Sequence, residues 1–224
     1  MQNVYNLASL DAVGDALLAD LMTCALPPGS QIRETTAAAR YKTSRTKIRE
    51  ALVVLSSRGF VQLEKNKGAV ASPIDAATVF TVFEARISAE KTAAALAAAR
   101  ASNADKETLR AYLSELSDAE AADDEDSFFA IDRSVHDAIA MMSRNQFIIA
   151  QVHNMRAHTV RCWHFYRELG LAEYPDYPGV RAIIEAVLAS DPKNAAAHMH
   201  AHLAKNLDEY RNMLTEQFNA LNFV

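Results

Sequence analysis

The chain has 224 residues, half of them hydrophobic, enough for one large domain or two smaller ones. A net charge of −5 excludes a uniformly basic nucleic-acid coat, and two distant cysteines, Cys24 and Cys162, exclude a disulfide framework or a cysteine-based zinc motif. No secretory signal and no apolar run of membrane-spanning length is evident, so a soluble, cytoplasmic protein with buried free thiols is expected.

Apolar residues Leu7, Leu10, Val13, Leu17, Leu18, Leu21 and Met22 recur at helical spacing and predict an amphipathic helix over 7–25. LPPGS (26–30) breaks it, QIRE reads as a short strand or extended segment, and ETTAAARY (34–41) as a short helix. After a turn, Ser44 is positioned to cap a helix that runs to about Ser57 and stops at Gly59. FVQLEKNKGAVAS (60–72) predicts two strands around a turn at Asn66, Lys67 and Gly68. Helix, short helix, turn, helix and hairpin make a winged helix-turn-helix over residues 1–73. From Pro73 to Gly170 no proline or glycine intervenes, which predicts helices at about 75–100, 104–122, 124–142 and 145–169. A loop at 170–179 precedes helices at 178–190 and 192–218. Residues 74–224 therefore read as an all-α bundle, and the fold class is mainly α.

Charge is unevenly placed: residues 1–72 carry +3 and 73–224 carry −8. TSRTKIREAL (43–52) puts Arg45, Lys47 and Arg49 near a helix N-terminus, where the macrodipole disfavours cations. On that helix Ile48, Leu52 and Leu55 face inward, while Arg45, Thr46 and Arg49 point elsewhere. In helix-turn-helix proteins this portion meets bases and phosphates in the major groove. Arginine bonds guanine bidentately, and Ser or Thr bonds phosphate or base. Lys65 and Lys67 at the hairpin tip suit a wing on DNA. A basic helix face is often only solvated, but turn spacing, clustered charge and a basic hairpin agree here.

The run LPPGSQIRETTAAARYKTSRTKIREALVVLSSRGFVQLEKNKGAV (26–70) resembles the DNA-binding domain of the GntR family of bacterial transcription regulators. The resemblance implies DNA contacts by Arg45 and Arg49 first, then Thr35, Ser44, Thr46, Lys67 and Gly68. Lys47 stands where that family often has proline, which adds a cation. EARISAE (84–90), DRSVHDAIAMMSRN (132–145) and RAIIEAVLASDPKNAAAHMHAHL (181–203) are similar to the FadR branch, whose all-α effector domain is called FCD.

Asp132 and His136 lie one turn apart on one helix face and could hold a divalent metal. Many members of the branch bind metal through one Asp and three His. By position these are Asp132, His136 and His202, with Val180 in place of the middle His. Three outcomes stay open: a three-ligand site for Zn, Ni or Mn; replacement of the missing ligand by His198 or His158; or a pocket that works without metal. Polar candidates for an effector pocket are Arg86, Arg133, Asn154 and His158, with Glu90, Arg156 and Arg161 beside them; Arg86 and Glu90, four apart, could equally form an ion pair. The resemblance implies a small organic or sugar acid as effector. The reading is a ligand-responsive, homodimeric DNA-binding regulator, a repressor released from a palindromic operator, and not an enzyme. The alternative is a metal-dependent enzyme built on Asp132, His136 and His202, against which stands the lack of a general-base or nucleophile constellation.

Overall fold

The computed structural model describes residues 10–64, 68–168 and 175–221. The chain divides into two compact units: Met1–Asp75 together with Ala157–Leu171, and Ala76–Arg156 together with Ala172–Val224. The division near residue 73 expected from Pro73 falls at 75/76. The grouping of 157–171 with the first unit has no counterpart in the sequence pattern.

In the first unit, α1 (Ala12–Met22) starts at Asp11, whose carboxylate accepts from the backbone N–H of Val13 and Gly14. It ends earlier than the apolar pattern suggests, because Cys24 turns into the left-handed region with φ 57°. β1 (Gln31–Ile32) leads into α2 (Glu34–Arg40) and α3 (Arg45–Ser57). Ser44 caps α3, accepting from Lys47 N–H at 3.3 Å. Gly59, at φ 84°, supplies the positive φ that stops the helix. β2 (Val61–Glu64) and β3 (Gly68–Ala71) form the hairpin, and β3 sits between β1 and β2 in an antiparallel sheet. The register sets Val61 opposite Ala71 and Ile32 opposite Ala69. Leu17, Leu21, Ile48, Leu55 and Phe60 are fully buried in one cluster. Each such side chain contributes about 1.5–3 kcal/mol relative to exposure. Asp20 ties α1 to the end of α2, accepting from the Tyr41 hydroxyl at 2.5 Å and pairing with Arg40 at 2.6 Å.

Within the same unit, residues from the later part of α7 (Gln146–Glu168) pack on this core. The His158 ring stacks on Phe60 with centroids 3.9 Å apart, and its Nε2 donates to the Arg58 carbonyl at 2.8 Å. The fully buried Arg161 donates to the Ser72 carbonyl, and the Cys24 thiol donates to the Arg161 carbonyl at 3.7 Å.

The second unit contains α4 (Ala76–Arg100), α5 (Asn103–Ala122), α6 (Glu125–Met142), α8 (Tyr177–Leu188) and α9 (Pro192–Leu221), with the early part of α7. The helix limits follow local capping. Ser102 and Asp105 form a reciprocal capping box, Asp124 accepts from Ser127 N–H, and Asp191 accepts from Asn194 N–H. α4 lies against α9, α8 and α6. Its buried stripe Ala89, Ala93, Ala94 and Ala97 is small enough for close approach of neighbouring helices. Leu109, Leu116, Val135, Ile139, Ile183, Ile184 and Leu203 complete the core. Val180, at the position of the absent histidine, is a fully buried member of this apolar core.

Candidate nucleic-acid interface and buried histidine–carboxylate site

Two groups of candidate residues are brought together, one in each unit. In the first, Thr35, Ser44, Arg45, Thr46, Lys47 and Arg49 are all exposed at the starts of α2 and α3. They share that exposure with few anions. Lys47 lies 3.8 Å from Asp11, and Glu34 at the first turn of α2 faces the two arginines. Arg49 donates through Nε and Nη2 to the two Glu34 oxygens, both at 2.7 Å, and Arg45 Nη2 is 3.5 Å away. The hydrogen bonds from Arg49 lower the Glu34 pKa. Lys65 and Lys67 lie outside the described residues. Gly68 opens β3 at φ 84°, a conformation that side chains resist, and among the described residues no atom lies within 4 Å of where a Cβ would sit.

In the second unit, Asp132, His136 and His202 converge. Their ligand-capable atoms lie within 4.8 Å of one another. Nε2 of His136 is 3.4 Å and Nε2 of His202 is 3.3 Å from Oδ1 of Asp132. Each imidazole is held from its other side. Nδ1 of His136 meets Glu90 Oε2, and Nδ1 of His202 meets Asp176 Oδ2 at 2.8 Å. Carboxylates at Nδ1 fix both rings so that Nε2 faces Asp132, the arrangement that orients histidines toward a metal. Asp132 Oδ1 and His136 Nε2 are buried yet make no hydrogen bond to any described residue, which is costly for a closed protein core and is relieved by a cation between them. The three residues therefore fit a divalent ion.

The charges run in a chain from α4 to α9. Arg86 donates to Glu90 at 2.5 Å, and Lys205 pairs with Asp176 at 2.7 Å. Burial alone would raise the Asp132 pKa, but the two imidazoles outweigh it and hold the carboxyl well below its usual range. Burial would likewise raise Glu90 and Asp176. The Arg86 and His136 charges bring Glu90 to about 2, and His202 and Lys205 bring Asp176 to about 2. For His202 burial is outweighed by the two carboxylates beside it, Asp132 and Asp176, which raise it to about 9. Glu90, Asp132 and Asp176 are thus carboxylates at neutral pH, and His202 carries a proton that a metal would displace.

The other sequence candidates add no ligand atom to this cluster. Arg86 is buried and engaged with Glu90. Arg133 is exposed on α6, and Asn154 is half-buried on α7. His158 belongs to the first unit, stacked on Phe60, and His198 is exposed, so neither joins the cluster. Asp176 and Lys205 escaped sequence reasoning. Asp176 sits in a proline-flanked loop without periodicity, and its only signal is its place just before a helix start.

Comparison with known proteins identifies the family. The FCD domain family model matches residues 81–205, and the model of bacterial regulatory proteins of the gntR family matches residues 10–70. The chain is similar to the Nta operon transcriptional regulator of Aminobacter aminovorans, 29% identical over 81% of this chain and 85% of that one. It is also similar to the HTH-type transcriptional repressor RspR of Escherichia coli, 25% identical over 62% and 60%. Among solved structures, E. coli McbR/YncC shares the fold with a TM-score of 0.70 and 20% identity over 92% of this chain and 96% of that one. The protein is a DNA-binding transcription regulator, and its family and relatives are regulators rather than enzymes. The chain belongs to the FCD-domain regulators of the bacterial GntR family.

Proposed function

We propose that the protein is a homodimeric, cytoplasmic repressor that leaves a palindromic DNA operator when a small organic or sugar acid binds its second unit. The observation that carries the DNA half is the exposed cluster Arg45, Thr46 and Arg49 on the Ser44-capped start of α3. Two such helices related by a dyad read two half-sites, so operator symmetry mirrors protein symmetry. A relative named as a repressor supports the sign of regulation. No helix among the described residues is long and apolar enough to cross a membrane.

The effector half rests on the buried cluster. Asp132, His136 and His202 would hold a divalent ion, Zn, Ni or Mn, while Glu90 and Asp176 keep both imidazoles aimed at it. Such an ion supplies positive charge and coordination positions for a carboxylate. With Val180 in place of a fourth protein ligand, more of those positions are left to the effector or water. The effector shifts the protein between DNA-competent and incompetent states only by its difference in affinity for the two.

The test is DNA affinity of the full chain on a duplex selected by the wild-type protein from a randomised pool. Arg45→Ala is expected to cost about 1–3 kcal/mol there and to relax base preference at one position. Unchanged affinity would remove α3 from the interface.

A further inference from the structure

Among the described residues, Glu34 is the one acidic side chain paired with Arg45 and Arg49 of the DNA-facing surface, and a carboxylate there repels phosphate. Its position has a second effect. Arg49 spends its Nε and one Nη2 hydrogen on the two Glu34 oxygens, each bond 2.7 Å long. That is the side edge of the guanidinium. The end edge, carrying Nη1 and the second Nη2 hydrogen, has no partner among the described residues, and two parallel donors on one edge are what guanine O6 and N7 accept. An arginine held on one edge can therefore read a base with the other.

Arg45 reaches the same carboxylate from one turn earlier, its Nη2 3.5 Å from Glu34 Oε2. Two cations one helical turn apart repel, and the anion facing both offsets that repulsion. Both arginine side chains are 63% exposed, so without Glu34 they would sample many rotamers and lose that freedom on binding. The folded chain supplies the ordering beforehand, through a glutamate fixed at the first turn of α2, where the helix dipole also favours it.

We infer that Glu34 is a specificity-determining positioning residue of the DNA interface, which aims Arg49 and Arg45 at base edges while lowering affinity for DNA in general. The inference rests on the reading of α3 as the DNA-contacting helix. Removing the carboxylate leaves both cations present, adds one net positive charge and frees both side chains. Non-specific binding then strengthens while specific binding weakens, a divergence that neither a folding defect nor simple loss of a contact produces.

The experiment uses the full-length chain with two probes: the duplex selected by the wild type from a randomised pool, and a scrambled duplex of equal length and composition. Fluorescence anisotropy gives both dissociation constants across a salt series for wild type, Glu34→Ala, Glu34→Gln and Arg49→Ala. For Glu34→Ala, the ratio of scrambled to selected dissociation constants is expected to fall about 10-fold or more, within the range of one bidentate base contact. The scrambled duplex should bind more tightly, with a salt slope steeper by up to about 1. Glu34→Gln, which keeps one oxygen acceptor without the charge, should fall between. If Arg49→Ala weakens the selected duplex but both Glu34 variants keep the wild-type ratio, the positioning role is overturned and the DNA reading stands. If Arg49→Ala leaves the selected duplex unaffected, both fall together. An exposed ion pair adds little to stability, so melting temperatures close to wild type accompany the expected result.

Discussion

A side chain on Gly179 would collide with Asp176: a Cβ built there lies 2.0 Å from Asp176 Oδ2 and 3.0 Å from His202 Nδ1. The carboxylate that holds His202 occupies the space above the first turn of α8. Replacing a helical glycine with alanine ordinarily stabilises by about 0.5–1 kcal/mol. Gly179→Ala must instead move the Asp176 carboxylate off His202 and Lys205. If the cluster binds metal, affinity should fall about 10–100-fold, as when an outer partner of a metal histidine is lost. Competition against a chromophoric chelator measures this, and wild-type affinity in the variant would remove Asp176 from the site.

Asp132 is the group both imidazoles share, at 3.4 and 3.3 Å, so its loss should be total. Protein purified without a histidine tag is expected to take up about one zinc per chain, and Asp132→Ala none. Zinc at 100 times its Kd adds about 2.7 kcal/mol to the wild type, or roughly 5–10 °C in Tm. Elemental analysis and thermal melts read both. A wild-type Tm indifferent to zinc, nickel and manganese would mean the cluster works without metal.

Much of this molecule is written locally. Ser44, Ser102 and Asp191 are caps visible as residue types, and the Pro- and Gly-free stretch after Pro73 leaves helices as its natural reading. Asp132 and His136 are legible because one helix turn separates them. The partners that orient the site are less so. Glu90 and Asp176 meet their histidines across 46 and 26 residues of chain, and such pairings follow from how helices pack, which no spacing encodes. Likewise α7 reads as one uninterrupted helix, and its apolar pattern does not say that residues from Ala157 onward join the first unit. By residue type alone His158 could serve an effector or a metal, whereas its neighbours are Phe60 and the Arg58 carbonyl.

Arg86 and Glu90 make a buried pair one turn apart on α4, with side chains 6% and 2% exposed. Arg86→Met keeps the aliphatic bulk but leaves Glu90 facing only His136. Breaking such a pair costs about 3–5 kcal/mol, because the remaining charge stays buried. Replacing both partners in Arg86→Met/Glu90→Gln should cost less than the two single changes added together. Urea denaturation of the three variants measures this. Strict additivity would show that the two groups do not depend on one another. If Arg86→Met proves nearly neutral, Glu90 is balanced by His136 alone.

His158 gives the first unit a dependence on pH. Burial lowers its pKa, and the nearby Arg161 charge adds to that, while its hydrogen bond to the Arg58 carbonyl only partly opposes them. The neutral ring stacked on Phe60 is therefore the folded form at neutral pH. The unfolded chain takes up a proton near the ordinary histidine value of about 6.5. Above that pH neither state is protonated and the full stability is present. As pH falls below it, the unfolded state gains a proton that the folded state resists. Stability then declines, by at most about 1.4 kcal/mol per pH unit, until the lowered folded pKa is reached. Trp163, the only tryptophan, lies in the α7 segment of the same unit, so its fluorescence reports this unfolding. Urea midpoints followed by that signal should drop between pH 7.5 and 5.5. His158→Gln, which cannot titrate, should start lower and show a shallower decline over the same range. Equal slopes for variant and wild type would place the titrating group elsewhere.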